Sequence, residues 1–228
     1  MTAINVIQRP HAIHMLTDAA SYMPDGTLGM VGQKAHPVAH LSAVFSSRGP
    51  QLFMPLMSEA VFSAFSSFDE MIDGLVERVR TAVSAIAPTL ALCAHGPNFD
   101  LVIAGWSTAR RRPETYVLTD HANYDFPAWT LKPFGALLIT PWDADLDGRL
   151  RLTQAELAGK LDPVKDGLRI LEAQRFVKAV QRNETEPAHG VGGFAQLTTV
   201  TAESISTRIL RRWPDPIGEK LDPTRRVQ

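Results

Sequence analysis

Met1-Thr2-Ala3-Ile4-Asn5-Val6-Ile7-Gln8-Arg9-Pro10-His11-Ala12-Ile13-His14-Met15-Leu16-Thr17-Asp18 opens the chain and carries the reading of its fold. Two short runs, Asn5–Gln8 and Ala12–Asp18, hold aliphatic and β-branched residues, with Arg9-Pro10-His11 between them. Apolar runs this short, broken at a proline, predict two β-strands rather than one helix. Met23-Pro24-Asp25-Gly26 then marks a turn, and Val38–Phe45 predicts a longer strand ending at Ser46-Ser47-Arg48-Gly49-Pro50.

The pattern changes period after residue 50. Leu56–Phe65 predicts a short helix. Ser67-Phe68-Asp69-Glu70 has the spacing of a capping box, a hydroxyl first and a carboxylate three residues later. Behind it Met71, Ile72, Leu75, Val76, Val79, Val83 and Ile86 recur at helical steps, and Pro88 is expected to stop the helix. Strands are expected again at Leu101–Trp106, Thr115–Thr119, Trp129–Leu131 and Ala136–Ile139, with Arg110-Arg111-Arg112 at a solvated hairpin tip. Asp162-Pro163 predicts a second long helix with Leu168, Leu171, Phe176, Val177 and Val180 on one face. Gly190-Val191-Gly192-Gly193 leads into a last strand, Phe194–Val200. Strands in hairpin-like pairs argue for antiparallel sheets with helices outside, against a doubly wound parallel fold. One domain is expected over residues 1–212, followed by an irregular tail over 213–228 that holds three prolines.

Composition narrows the function. The chain has 228 residues, enough for a real core, and its 23 basic and 24 acidic side chains leave a formal charge of −1. That balance removes the case for a general nucleic-acid binder. A single cysteine, Cys93, excludes a disulfide scaffold, fits a reducing compartment and is expected to be a small core residue. Without a long apolar run or a signal-like start, the expectation is a soluble cytoplasmic protein with no membrane partner.

The candidate chemistry sits at the start. A small residue after Met1 favours removal of the initiator methionine, which would leave Thr2 with a hydroxyl and a free α-amine. An α-amine titrates near 7.7–8.0, so one residue could serve as both nucleophile and base. Asp18 lies 16 residues beyond Thr2 and Lys34 lies 32 beyond it. A lysine ammonium near the threonine favours deprotonated amine and hydroxyl, and an aspartate would hold that lysine in place. These offsets, with Leu16-Thr17-Asp18-Ala19 and Gly32-Gln33-Lys34, resemble the N-terminal nucleophile hydrolases of the proteasome β-subunit and bacterial proteasome-like threonine peptidase family.

The element order over residues 2–200 is similar to that family's as well. The resemblance implies an α+β fold, a four-layer αββα sandwich of two antiparallel sheets. It implies catalytic roles for Thr2, Asp18 and Lys34, an oxyanion-binding N–H at Gly49, and no cofactor. It also implies a peptide or protein substrate and a homo-oligomeric ring, for which the apolar run Gln51–Phe65 could supply an interface. The family's downstream serine and aspartate are matched to no residue here. A non-catalytic assembly subunit of the same fold is the alternative.

Weaker signals compete. Asp143, Asp145 and Asp147, with Gly148, match the opening of a calcium loop, but Gln154 stands where a bidentate glutamate is needed. Thr153-Gln154-Ala155-Glu156 reads better as a capping box. His36 with His40, and His11 with His14, lack the helical context of a zinc motif, and Gly190–Gly193 lacks the Gly-Lys-Ser/Thr of a phosphate loop.

Overall fold

In a computed structural model of the chain, the described residues are 1–23, 25–93, 97–122, 124–153, 155–180 and 186–225. The predicted opening pair forms: β1 (Ile4–Arg9) and β2 (Ala12–Thr17) run antiparallel in a register from Ile4 opposite Thr17 to Arg9 opposite Ala12. There follow β3 (Ala20–Tyr22), β4 (Leu28–Val31), β5 (His36–Val38), β6 (Ala43–Arg48), α1 (Phe53–Ala60) and α2 (Phe68–Ala91). The middle of the chain gives β7 (Asp100–Ser107), β8 (Arg112–Thr119), β9 (Lys132–Phe134), β10 (Leu137–Thr140) and α3 (Ala144–Leu150). The last part gives α4 (Lys165–Gln174), β11 (Lys178–Val180), β12 (Pro187–His189), β13 (Phe194–Val200) and β14 (Ile205–Arg212).

Among the described residues, two five-stranded sheets form, in the orders β10-β1-β2-β13-β14 and β5-β6-β7-β8-β9. Every neighbouring pair in both is antiparallel. The period of two along each strand builds the layers. Ile4, Val6, Ile13 and Met15 of the first sheet meet Val44, Val102, Ala104 and Val117 of the second, forming the middle core. The opposite faces are apolar too. Ile7, Leu16, Ala195 and Leu197 pack under Leu146, Ile170 and Leu171 of α3 and α4. Phe45, Leu101, Ile103 and Leu118 pack under Met57 of α1 and Phe68, Met71, Leu75 and Val79 of α2. Burying one such side chain contributes about 1.5–3 kcal/mol, so both outer faces need their helices. The result is the four-layer αββα sandwich.

Local signals set several boundaries. Ser67 caps α2 by accepting from the Glu70 N–H at 3.2 Å, as its capping box predicts. Other boundaries differ from expectation. Val38–Phe45 is not one strand: Ser42 is left-handed (φ 48°) and a short 3₁₀ turn at Ala39–Leu41 separates β5 from β6. Pro88 does not stop α2, which continues to Ala91 and is anchored by the fully buried Leu90. Trp129 takes a left-handed conformation (φ 61°), donates to Thr119 O and packs edge-on against Phe99, so β9 starts only at Lys132. The helix after Asp162-Pro163 ends at Gln174, because the buried Gln174 side chain is drawn to Asn5 (2.7 Å) and Pro141 O (3.1 Å). Phe176 is therefore 38% exposed, and Val180 belongs to β11.

The run Gln51–Phe65 is not a free apolar face. Phe53, Met54, Met57, Val61 and Phe62 are all buried against the second sheet, so the interface expected there is spent on the core. Cys93 is half-buried at the end of α2, not a core residue. At the hairpin tip Arg110, Arg111 and Arg112 are all exposed, as expected, and two of them also pair with Glu114. Arg110 binds Glu114 at 2.7 Å and Asp69 at 2.9 Å, tying the β7–β8 tip to the first turn of α2. Burial would raise the Glu114 carboxyl, but hydrogen bonds from Arg110, Arg112 and Tyr116 outweigh it and hold it at about 2.

Three half-buried histidines make acid sensitivity an expected property. Burial, more than nearby Arg9, lowers the His14 imidazole below its ordinary 6.5, and burial lowers His36 and His189 likewise. A cation whose folded pKa is depressed carries fewer protons folded than unfolded, so its contribution is complete above about 6.5 and is lost as pH falls below it. The melting temperature should fall between pH 7 and pH 5, and the combined His14→Gln and His36→Gln substitutions should flatten that slope. Glu114 acts in a separate window, losing its contribution only as pH falls from about 4.5 towards 2.

Candidate active site

Pairing of Ile4 with Thr17 sets the site, since the next step outward brings Ala3 opposite Asp18. The Ala3 N–H donates to Asp18 Oδ1 at 3.0 Å, which fixes the backbone beside Thr2. Asp18 is fully buried and accepts from two more backbone groups, Ala20 N–H and Gly192 N–H, each at 3.1 Å. Lys34, in the connection from β4 to β5, completes the set with its Nζ 2.9 Å from Oδ1 and 3.0 Å from Oδ2. The lysine side chain is only 12% exposed. Burial lowers its pKa, and Asp18 opposes that by stabilising the charged form.

Thr2 and Gly49 line one cavity of about 810 Å³. Gly49 has φ 120°, and a Cβ there would come within 2.4 Å of Asn98 O, so only glycine fits this wall. Met1 also lines the cavity, and with it in place the Thr2 nitrogen is a peptide nitrogen. The α-amine of Met1 lies well below its ordinary value, first through burial and then through the charge on Lys34. Of the four residues expected at the site, Thr2 and Gly49 lie on the cavity wall, and Asp18 and Lys34 pair beside Ala3.

A second polar group on the cavity wall has no signal in the sequence. Arg48 donates to Thr140 Oγ1 at 2.9 Å and lies 3.5 Å from Asp100, whose other oxygen is 2.8 Å from His121 Nε2. Burial, then the Asp100 charge, pushes the neighbouring Tyr124 phenol up to about 12. These residues come from separate segments, so no local spacing could have grouped them.

The acidic run is built differently from a calcium loop. Asp143 caps α3, its Oδ1 accepting from the Leu146 N–H at 2.7 Å, and Asp145 and Asp147 sit in the helix behind it. Gln154, at the twelfth position of the motif, lies outside the described residues. Among the described residues no group of three or more His, Cys, Asp or Glu side chains could hold a metal ion. Millimolar calcium should leave the melting temperature unchanged, and a calcium-dependent rise abolished by Asp147→Ala would revive the loop. His40 Nε2 lies 3.3 Å from Phe62 O, and His14 Nδ1 lies 2.9 Å from Thr199 Oγ1, both in structural contacts. Among the described residues no helix is long and apolar enough to cross a membrane.

Two antiparallel sheets face to face with helices on both outer faces make a proteasome-like α+β fold. Solved structures of two Anbu proteins are similar to it. One is the Anbu of Yersinia bercovieri, described as an ancestral beta-subunit, with a TM-score of 0.64 over 95% of this chain and 89% of that one. The other is a Gly-1 mutant of Anbu from Hyphomicrobium sp. strain MC1, with a TM-score of 0.63 over 94% and 89%. Sequence identity is 10% in both cases, so the likeness is one of fold. No protein-family model matches the sequence, and no curated protein matches it either.

Proposed function

We propose that this chain is an N-terminal threonine amidohydrolase acting on peptides, with Thr2 as nucleophile once Met1 has been removed, within an assembly of its own copies. The observation that carries the reading is the buried Asp18–Lys34 pair: the same carboxylate that holds the lysine also holds the Ala3 N–H beside Thr2. Freed of Met1, the Thr2 amine would lie beside the same lysine, whose charge favours its neutral form near pH 7. The neutral amine takes the hydroxyl proton as Oγ1 attacks the amide carbonyl carbon. The Gly49 N–H receives the oxyanion, and collapse of the tetrahedral intermediate breaks the C–N bond. The leaving amine takes the proton back from the Thr2 ammonium, leaving an ester on Oγ1. Water then attacks that ester, its proton passing to the amine; collapse breaks the acyl C–Oγ1 bond, the ammonium returns the proton to Oγ1, and the carboxylic acid product leaves.

Assembly is supported by the Anbu neighbour's description as a beta-subunit. A non-catalytic subunit of the same fold is the second reading, favoured by one observation. Met1 is well seated, packing with the apolar cluster under α4 and lying so close to Gly190 that a Cβ there would fall 2.6 Å from its own. Intact mass of the purified protein, combined with a covalent probe for N-terminal threonines, separates the two. Loss of Met1 and labelling of Thr2 support the enzyme; quantitative retention of Met1 supports the subunit.

A further inference from the structure

The turn before β13 joins the candidate site to the far end of the chain. Gly192 gives its N–H to Asp18 at 3.1 Å and its carbonyl to the Ala19 N–H at 2.9 Å. The next amide, Gly193 N–H, donates in another direction, to Asp215 Oδ2 at 2.8 Å. Asp215 lies beyond β14, in the stretch expected to be an irregular tail. Its side chain is nevertheless only 1% exposed and is bound at both oxygens by Arg175, at 2.7 and 2.9 Å. Arg175 follows α4, donates to Val191 O at 3.3 Å, and lies 4.6 Å over the Trp213 ring, whose backbone N–H returns to Gly193 O at 2.9 Å. The packing leaves no slack: a Cβ on Gly192 would fall 2.6 Å from Asp215 Oδ2, and one on Gly193 would fall 2.8 Å from Val31 Cγ1.

Two adjacent amides are therefore held by two aspartates, one belonging to the candidate site and one to the C-terminal segment. A buried arginine–aspartate pair is costly to desolvate and stabilises little by itself, so its value here is geometric. We infer that Asp215, clamped by Arg175, is a positioning residue for the Asp18–Lys34 pair, acting through the Gly192–Gly193 turn. Its catalytic consequence rests on the reading of Thr2 as nucleophile; its effect on Lys34 does not. When Asp215 is removed, the turn is free to shift, Gly192 N–H leaves Asp18, and water reaches the lysine. The charged groups that bear on Lys34 are then unchanged in number (Asp18, Arg48 and the chain's amine), but the burial that depresses it is relaxed.

The test titrates Lys34 by NMR in protein labelled with ¹³C at lysine Cε, the signal assigned by Lys34→Arg, alongside peptide-amide hydrolysis. Asp215→Ala removes every bond the carboxylate makes. Asp215→Asn breaks the two-oxygen clamp, since its one acceptor cannot serve Gly193 and both Arg175 nitrogens and its NH2 faces the guanidinium, and it serves if the alanine variant fails to fold. Both should raise the Lys34 midpoint by about half a unit or more, and lower kcat by about 10- to 100-fold at unchanged KM. Trp213→Leu, which leaves the Asp215 bonds in place, should do neither. A folded Asp215→Ala or Asp215→Asn protein with a wild-type Lys34 titration overturns the inference, even if its melting temperature is lowered. A shifted Lys34 in a chain that hydrolyses nothing, wild type included, upholds the positioning role and removes the enzymatic one.

Discussion

Thr2→Ala is expected to abolish peptide-amide hydrolysis, lowering kcat/KM by roughly 10⁴-fold or more, while the fold survives. The asymmetry follows from where Thr2 lies. It precedes β1, is only half-buried, and its neighbour Ala3 makes the bond to Asp18, so truncation to alanine leaves that bond intact. Thr2→Ser keeps both hydroxyl and amine and should keep part of the activity. Lys34→Ala should be nearly as damaging as Thr2→Ala, since it removes the charge that favours a neutral amine. Its structural effect is milder, because Asp18 retains three backbone N–H donors. The probe for N-terminal threonines should add its mass to Met1-free wild type and not to Thr2→Ala. Equal labelling of both proteins would remove Thr2 from the mechanism.

Asp18→Ala should carry the largest stability loss at the site, about 3–5 kcal/mol. The substitution strands the Lys34 ammonium in a buried position and leaves the N–H groups of Ala3, Ala20 and Gly192 without their acceptor. Unpaired buried donors and charges are far more costly than their hydrogen bonds are stabilising. For a domain of this size the melting temperature should fall by about 10 °C. The double variant Asp18→Ala/Lys34→Ala should recover part of the loss, because the stranded charge is gone; a coupling of about 1 kcal/mol or more is expected in the cycle. If Asp18→Ala melts within a degree or two of wild type, Asp18 is not the anchor described, and the proposed site loses its foundation.

Much of this arrangement was legible in the residues, for local reasons. The hydroxyl of Ser67 and carboxylate of Glu70 set the start of α2 within one turn, and the period of its apolar residues set the buried face. The β1–β2 pair follows from two apolar runs with only Pro10 and His11 between the strands. Thr2, Asp18 and Lys34 were picked out because their roles follow from side-chain chemistry and their offsets from a family resemblance. The Arg48, Asp100, His121 and Tyr124 group was not, since each residue is ordinary in its own segment.

The boundaries that shifted were those where a distant partner overruled a local rule. The left-handed turn at Ser42 is held by the Trp106 N–H, which donates to its carbonyl at 2.9 Å from across the sheet. The helix α4 ends where Gln174 finds Asn5, 169 residues away in the chain. The sequence by itself determined the strand and helix periods and the capping of α2, because those depend on neighbours within a few residues. Only the tertiary structure decided that Asp18 takes the Gly192 amide from 174 residues away and that Asp215 takes the next one. Buried hydrogen-bonding groups must find partners wherever the packed layers bring them, and that destination is written in no local pattern.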